Sequence, residues 1–212
     1  MSRALFFLFA HGWSSDASIW DAIRAALPTA QTAAIERGYL GAVPSWPKVP
    51  DGYIAVGHSA GSLDLFCDRP AGCAGIIAVN GFTRFSQAPD FPSGVPMRVL
   101  DRMLQRLAAD PVATVAAFRV RCGADGGFSG TLQPDRLEQG LRALQDRDSR
   151  GGTDPGLRML SLAGRHDPIV PPAMTAASFD QAAIMWNETA GHLLPLTHPD
   201  WCANRLMEFA RA

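Results

Sequence analysis

A serine, an aspartate and a histidine occur in this sequence in settings that suit nucleophilic catalysis. Ser59 is the central residue of a G-x-S-x-G motif at 57–61, Asp167 precedes a proline, and His192 follows a glycine. A serine hydroxyl is a poor nucleophile until a base takes its proton. The base in turn needs an acid that fixes its tautomer and stabilises its charged form. The three residue types together predict acyl transfer through a covalent intermediate on Ser59.

Each of these residues also has a simpler interpretation. The motif around Ser59 is compatible with a plain glycine-rich turn, Asp167 with a turn aspartate, and His192 with a surface loop histidine. The order Ser59, Asp167, His192, each following a predicted strand, favours the catalytic interpretation. Glu36, after another short predicted strand, is a second candidate for the acid.

An acyl-transfer site also needs N–H donors for the charge that develops on the carbonyl oxygen. One donor is expected from the backbone of Ala60, the residue after the serine. We expect the other from the backbone of Trp13, which follows the first predicted strand. The Trp13 ring is either a pocket wall or a core side chain. His58 either packs beneath the turn or lines the pocket mouth, and Asn80-Gly81-Phe82, at the end of a predicted strand, is expected to shape the pocket.

Short apolar runs and helical spacings indicate the elements that must position these residues. Strands are predicted at 4–10, 32–35, 53–56, 75–79, 157–163 and 182–186. Helices are predicted from Asp16 or Ser18 to about 27, directly after Ser59, and at 96–108, 111–121, 134–144, 172–179 and 199–210. The alternation predicts an α/β fold with a mostly parallel sheet of about six strands. The core is expected at 1–93 and 151–212, with a helical cap at 94–150 inserted over the strand ends.

Composition limits the classes of function. The chain has 212 residues and a formal net charge of −1, which gives no support to a nucleic-acid or membrane-surface partner. The apolar run at 4–10 is too short to span a bilayer, and we interpret it as a buried strand. The four cysteines lack metal-site spacing and indicate reduced thiols in a cytoplasmic protein. The chemistry expected at Ser59 needs no metal or organic cofactor.

Four segments resemble the α/β-hydrolases, and in particular the biotin-pathway esterases that demethylate pimeloyl-acyl-carrier-protein methyl ester. These segments are LFAHGW at 8–13, VGHSAG at 56–61, LAGRHDPIVP at 162–171 and AGHLLPLTHPDWC at 190–202. The segment at 99–118 resembles the cap of that family. The resemblance covers nearly the whole chain, although the two leading strands of larger members are missing.

The resemblance implies the same catalytic residues and adds Phe118 on the pocket side of the cap. It implies a carboxylesterase whose acyl ester is presented on acyl-carrier protein, and we expect it to act as a monomer. Ala113 and Ala117 fall where the family has arginines that contact the carrier. Near these two positions the chain has other basic residues that could contact the carrier: Arg98, Arg102, Arg119, Arg121 and Arg136.

Two other functions remain open from the sequence. One is a general hydrolase of small esters that needs no carrier protein. The other is a hydrolase fold kept as a ligand-binding module, which gives no reason to retain a serine, an acid, a histidine and the His11-Gly12-Trp13 turn together. The stripe formed by Arg98, Arg102 and Arg106 suits either an acidic partner or a solvated helix face.

Overall fold

The computed structural model describes residues 4–151 and 156–212, which contain a six-stranded sheet. The strands run in the order β2-β1-β3-β4-β5-β6, and every neighbouring pair is parallel. Their bounds are β1 Phe6–Ala10, β2 Gln31–Ile35, β3 Tyr53–His58, β4 Cys73–Val79, β5 Arg158–Gly164 and β6 Ile184–Asn187. The predicted α/β class and number of strands are confirmed. Residues 1–3 and 152–155 of the predicted core segments lie outside the described residues.

Helices cover both faces of this sheet, so its central strands are buried and apolar. Eight α-helices lie in the described residues: α1 Asp21–Ala25, α2 Ala60–Asp68, α3 Met97–Ala109, α4 Pro111–Cys122, α5 Pro134–Asp146, α6 Pro172–Ser178, α7 Leu194–Thr197 and α8 Pro199–Arg211. No helix in the described part of the chain is both long and apolar enough to cross a membrane.

The local differences from the predicted elements are small. The first predicted helix divides into a 3₁₀ turn at Ala17–Trp20 and the short α1. The Asp16 carboxylate accepts the N–H of Ser18, so it caps the 3₁₀ turn. A second 3₁₀ turn at Gln181–Ala183 delays the start of β6. The short helix α7 was not predicted, because a four-residue segment that begins Leu-Pro carries no helical periodicity.

Helices α3, α4 and α5 lie between β4 and β5 in the chain, and we call residues 97–146 the cap. Asp110 ends α3 and caps α4, with its carboxylate accepting the N–H of Ala113 at 2.9 Å. Backbone N–H groups of Thr131 and Gln133 bond to carbonyls of the loop after β2 at 3.0 and 2.9 Å. Buried cap side chains, among them Leu100, Leu107, Val115, Leu137 and Leu141, join a single apolar cluster with core residues. The cap is therefore packed onto the core along its length.

The turn between β3 and α2 depends on two glycines. A Cβ at Gly61 would lie 2.3 Å from the carbonyl oxygen of Ala10, and one at Gly57 would lie 2.5 Å from the Ser62 backbone nitrogen. Real Cβ atoms do not approach backbone so closely. The glycines therefore allow α2 to start directly against β1, as the motif predicts.

We predict that Gly61→Ala destabilises the protein by about 1–3 kcal/mol or more, because the added methyl group must displace β1 backbone. A thermal melt should show a midpoint several degrees lower than that of the wild type. Gly127→Ala is the matched control, since the nearest atom to its added Cβ is 3.4 Å away, in the Asp125 side chain. Equal midpoints for both variants would show that α2 and β1 tolerate the extra atom.

Candidate active site

Three of the residues singled out in the sequence meet at the carboxyl ends of the parallel strands. Ser59 follows β3, Asp167 follows β5 and His192 follows β6. All three are buried, with exposed fractions of 6%, 4% and 2%. Ligands bind at this edge in open α/β sheets. The fold thus brings together residues that are up to 133 positions apart in the chain.

Ser59 has a backbone conformation that few residues other than glycine adopt. Its φ is 53° and its ψ is −122°, and it occupies the position before the first residue of α2. Its N–H bonds to the carbonyl of Val79 on β4 at 3.1 Å, which ties the turn to the sheet. Such a conformation costs about 1–3 kcal/mol and persists where the surrounding structure holds it. The tight turn projects the hydroxyl away from the sheet, where a ligand can reach it.

His192 and Asp167 form a buried pair. The imidazole Nδ1 of His192 lies 2.8 Å from one carboxylate oxygen of Asp167. The other oxygen accepts the N–H groups of Ile169 and Val170 at 2.7 and 2.9 Å. These bonds fix the carboxylate, which in turn favours a proton on Nδ1 and leaves Nε2 able to accept one.

The Ser59 hydroxyl has no hydrogen-bond partner within residues 4–151 and 156–212. It shares one cleft with the His192 side chain. Bonds between a nucleophile and its base are often long or poorly aligned before substrate binds. The arrangement thus leaves the hydroxyl available to Nε2.

His58 supports the loop that carries His192. Its Nε2 lies 2.9 Å from the backbone carbonyl of His192, and the two rings are 4.9 Å apart. Burial, aided by the neighbouring His192, lowers the pKa of His58 to about 3, so the ring is neutral near pH 7. Because a carbonyl only accepts, Nε2 must carry the proton. Of the two positions that the sequence left open for His58, beneath the turn or at the pocket mouth, the structure has the ring in the wall of the cleft.

Asn80 is a residue whose contacts the sequence did not predict. Its side-chain N–H₂ donates to the carbonyls of Gly191 and His192 at 2.9 and 2.8 Å, and its oxygen accepts the N–H of Gly164 at 2.8 Å. It is buried and has a φ of 46°, in the left-handed region that asparagine tolerates better than most residues. The feature of the sequence that could have indicated these contacts is a polar residue placed directly after the buried strand β4.

The two expected oxyanion donors are placed on either side of Ser59. Ala60 is the first residue of α2, where backbone N–H groups have no partner within the helix. In the described part of the chain the backbone N–H of Trp13 also has no acceptor. The Trp13 ring packs edge-to-face on Phe118, with ring centres 4.9 Å apart, and its Nε1 donates to the carbonyl of Leu137 at 2.8 Å. It is both a pocket wall and a core side chain.

Two cavities meet at Ser59, and both are bounded by Trp13, Ser59 and Phe118. The first, which we call the outer cleft, has a volume of about 110 Å³; its other walls include Gly12, Ser14, Asp16, His58, Arg119 and His192. The second, the inner cavity, has about 90 Å³ and lies under the cap; its other walls include Phe82, Phe85, Val95, Leu100, Leu141 and Ile169. A mainly apolar space and a more polar one therefore flank the hydroxyl.

A larger groove of about 670 Å³ separates α3 from α4 on the cap, and we call it the cap groove. Arg98, Arg102, Arg106 and Arg121 line it, with one acidic residue, Asp110. Ala113 and Ala117 also line it. Among the described residues, none of the four arginines has a carboxylate within ion-pair distance. The inner cavity and the cap groove share the walls Val99, Met103, Phe118 and Arg121.

The five arginines expected near a carrier protein do not share one surface. Arg98, Arg102 and Arg121 line the cap groove, whereas Arg119 lines the outer cleft. Arg136 lines a different cavity, beside α2, which is none of the three spaces described above. The side chains of Arg119 and Arg121 point in different directions, because residues two positions apart on a helix are rotated by roughly 200° about its axis.

Two other ionisable groups near the site have different roles. Glu36, the second candidate acid, bonds to the N–H groups of Gly38 and Ala17 at 2.7 and 3.1 Å and lies 3.4 Å from His11. Burial alone would raise its pKa, but these contacts lower it to about 2. It therefore holds the loop after β2 and does not contact His192. Burial raises the pKa of Cys122, in the outer cleft, to about 12, so this thiol is not a competing nucleophile at neutral pH.

Comparison with solved structures shows which fold this arrangement belongs to. A hydrolase from Oleispira antarctica superposes with a TM-score of 0.80 at 15% identity, covering 99% of this chain and 92% of that one. An esterase from Exiguobacterium antarcticum gives 0.79 at 15% identity, covering 100% and 94%. The enol-lactonase from Burkholderia xenovorans LB400 gives 0.76 at 15% identity, covering 100% and 93%.

No protein-family model matches the sequence, and no curated protein matches it significantly. The likeness to the solved structures lies in the path of the chain, which superposes over nearly its full length. This protein has the α/β-hydrolase fold.

Proposed function

We propose that this protein is a serine carboxylesterase. The observation that carries the proposal is the buried His192–Asp167 pair, 2.8 Å apart, whose histidine shares a cleft with a serine on a strained strand-to-helix turn. Two backbone N–H groups without internal acceptors flank that serine. Hydrolases, esterases and an enol-lactonase with the same fold support this reaction class.

The reaction follows from the positions of these groups. The Ser59 oxygen attacks the ester carbonyl while Nε2 of His192 takes the hydroxyl proton. The negative charge on the carbonyl oxygen is met by the N–H groups of Trp13 and Ala60. When the intermediate collapses, His192 gives the proton to the leaving alcohol, and an acyl group remains on Ser59. Water then attacks this acyl-enzyme with the same base, which releases the acid and restores the serine.

In this proposal the alcohol half and the acyl half of the ester occupy different cavities. His192 must protonate the leaving oxygen, and it lines the outer cleft but not the inner cavity. The alcohol therefore leaves through the outer cleft, by which water also enters. The acyl group occupies the inner cavity, where Phe82, Phe118 and the aliphatic side chains of the cap exclude water.

At a finer level we propose that the substrate is the methyl ester of pimeloyl-acyl-carrier protein, in the cytoplasm. The shared walls of the inner cavity and the cap groove support this, since an acyl chain that fills the inner cavity reaches side chains that also line the groove. The unpaired arginines of the groove suit an anionic carrier. All four cysteines are free thiols, which suits a reducing compartment. We propose that the protein acts as a monomer.

The second candidate is a general esterase that takes small esters without a carrier. Ala113 and Ala117 favour this function, because they occupy the groove at the positions where the resemblance places carrier-binding arginines. The two candidates share the chemistry at Ser59 and differ in what the cap groove binds.

Replacing the nucleophile tests the common chemistry. We predict that Ser59→Ala lowers the turnover of a short nitrophenyl ester by about three orders of magnitude or more, because no covalent intermediate forms. The wild type should also become labelled on Ser59 by a serine-reactive phosphonate, detected by mass spectrometry. Ser178→Ala, on α6, is the control and should behave as the wild type. A wild type that neither cleaves esters nor is labelled would leave a ligand-binding protein as the explanation.

A substitution of Asn80 tests whether the position of His192, the proposed base, limits the rate. We predict that Asn80→Ser lowers kcat by about tenfold or more, because a base displaced by an ångström transfers protons poorly. KM should change by less than about threefold, since Asn80 does not line either cavity. Asn204→Ser, on the exposed side of α8, is the matched control. An unchanged kcat would mean that the remaining contacts, among them those of His58 and Asp167, hold His192 without Asn80.

Substitutions in the cap groove distinguish the two candidate functions. We predict that Arg98→Glu combined with Arg102→Glu lowers kcat/KM for methyl pimeloyl-acyl-carrier protein by about tenfold or more, because like charges then face each other. Activity on the short nitrophenyl ester should stay within about twofold. Arg142→Glu, on α5 and outside the groove, is the control for a charge change on the cap. Equal effects on both esters, or no effect on either, would favour the small-ester function.

A further inference from the structure

The segment between β1 and the first 3₁₀ turn carries one of the two proposed oxyanion donors. We call residues 11–15 the oxyanion loop. Ser14 has a φ of 57°, which is unfavourable for a residue with a side chain. Because such a backbone persists only where its surroundings hold it, the contacts around this loop decide where the Trp13 N–H points.

The first half of the loop is held by the core. His11 Nε2 lies 3.2 Å from the backbone N–H of Arg37, in the loop after β2. A Cβ at Gly12 would come within 3.1 Å of the His58 and Ser59 side chains, so the backbone lies directly against the turn at Ser59.

The second half is held by the cap. The Trp13 Nε1 donates to the Leu137 carbonyl on α5 at 2.8 Å, and its ring packs on Phe118 of α4. The Arg119 guanidinium, also on α4, donates through Nη1 to the Ser14 carbonyl at 3.1 Å. The peptide unit between Gly12 and Trp13, which carries the donor N–H, is therefore located where core contacts end and cap contacts begin.

Arg119 has no competing partner in the described residues. No carboxylate lies within ion-pair distance of its guanidinium, and its Nε is buried without an acceptor. Asp16 lines the same cleft, but its carboxylate accepts from Ser18. The bond to the Ser14 carbonyl is thus the one polar contact of the Arg119 side chain among described protein groups.

We propose that the cap positions the oxyanion donor, and that Arg119 is the positioning residue through which it does so. This inference rests on the proposed esterase chemistry at Ser59. Arg119 holds the Ser14–Ser15 peptide through its carbonyl, two peptide units after the one that carries the Trp13 N–H. Together with the indole bond from Trp13 to Leu137, this contact restricts rotation of the segment between them and so aims the Trp13 N–H at the developing charge. The cap therefore has a role in the chemical step, in addition to covering the acyl group.

The test compares Arg119→Met and Arg119→Lys with the wild type on a short ester. Losing one of two oxyanion donors costs about 10²–10³ in kcat, so misplacing it in Arg119→Met should cost about tenfold or more. KM should change by less than about threefold, because the ground-state carbonyl uses these donors weakly. Arg119→Lys should recover part of the loss, since its ammonium group can still donate to the Ser14 carbonyl.

A second measurement separates positioning from a general effect on structure. A trifluoromethyl ketone with the same acyl chain adds to Ser59 and places an oxyanion between the two donors. Its inhibition constant in Arg119→Met should rise by the same factor by which kcat/KM falls. Trp13→Phe, which keeps a ring against Phe118 but removes the bond to Leu137, should show the same parallel change.

Active-site titration with the phosphonate gives kcat per functional site. Arg142→Met, which removes an exposed arginine paired with Glu138 on α5, should match the wild type in every measurement. If Arg119→Met lowers only the melting temperature or the fraction of titratable sites, while kcat per site and ketone inhibition are unchanged, the proposal is overturned. If the wild type cleaves no ester, the esterase function itself fails, and that result is distinct from an unchanged Arg119→Met.

Discussion

The close approach of helix α2 to strand β1 is the constraint on which the rest of the structure depends. Because Gly61 has no side chain, the helix can begin against the Ala10 carbonyl, and the turn that leads into it gives Ser59 a positive φ. Because β3 lies between β1 and β4 near the centre of the sheet, that turn stands beside the ends of these two strands, on the same edge as the ends of β5 and β6. The proposed donors, the acid and the base then need only short loops to reach one hydroxyl.

The backbone of His192 is held by neutral side chains, and its ring is held by a carboxylate. Its backbone carbonyl accepts from Asn80 and from an uncharged His58, and its ring is oriented by Asp167. Burial keeps His58 neutral, so a second positive charge would not compete with the imidazolium that the proposed mechanism forms at His192. The result is a fixed imidazole that shares a cleft with a hydroxyl that has no bond of its own in the described residues.

The sequence predicted what depends on local pattern. Ser59, Asp167 and His192 were found because each follows an apolar strand, and the carboxyl ends of parallel strands share one edge. The contacts of Asn80 were not found, since its partners lie 84 to 112 positions away along the chain. The different surfaces reached by Arg119, Arg121 and Arg136 depend on how α4 and α5 are rotated against the core. Sequence spacing gives neither that rotation nor the bond from Arg119 to Ser14.

The position of the cap in the chain has an evolutionary consequence. The segment between β4 and β5 leaves and re-enters the core at adjacent points, because the N–H and hydroxyl of Ser149 donate to the Thr83 carbonyl and the Ser86 hydroxyl donates to the Gln145 carbonyl. Such a segment can be lengthened, shortened or exchanged without changing strand register, which lets a lineage acquire new substrates rapidly. In this protein the exchange has a limit. An incoming segment would have to supply a donor for the Ser14 carbonyl and an acceptor for the Trp13 indole, and most recombined segments would lack both.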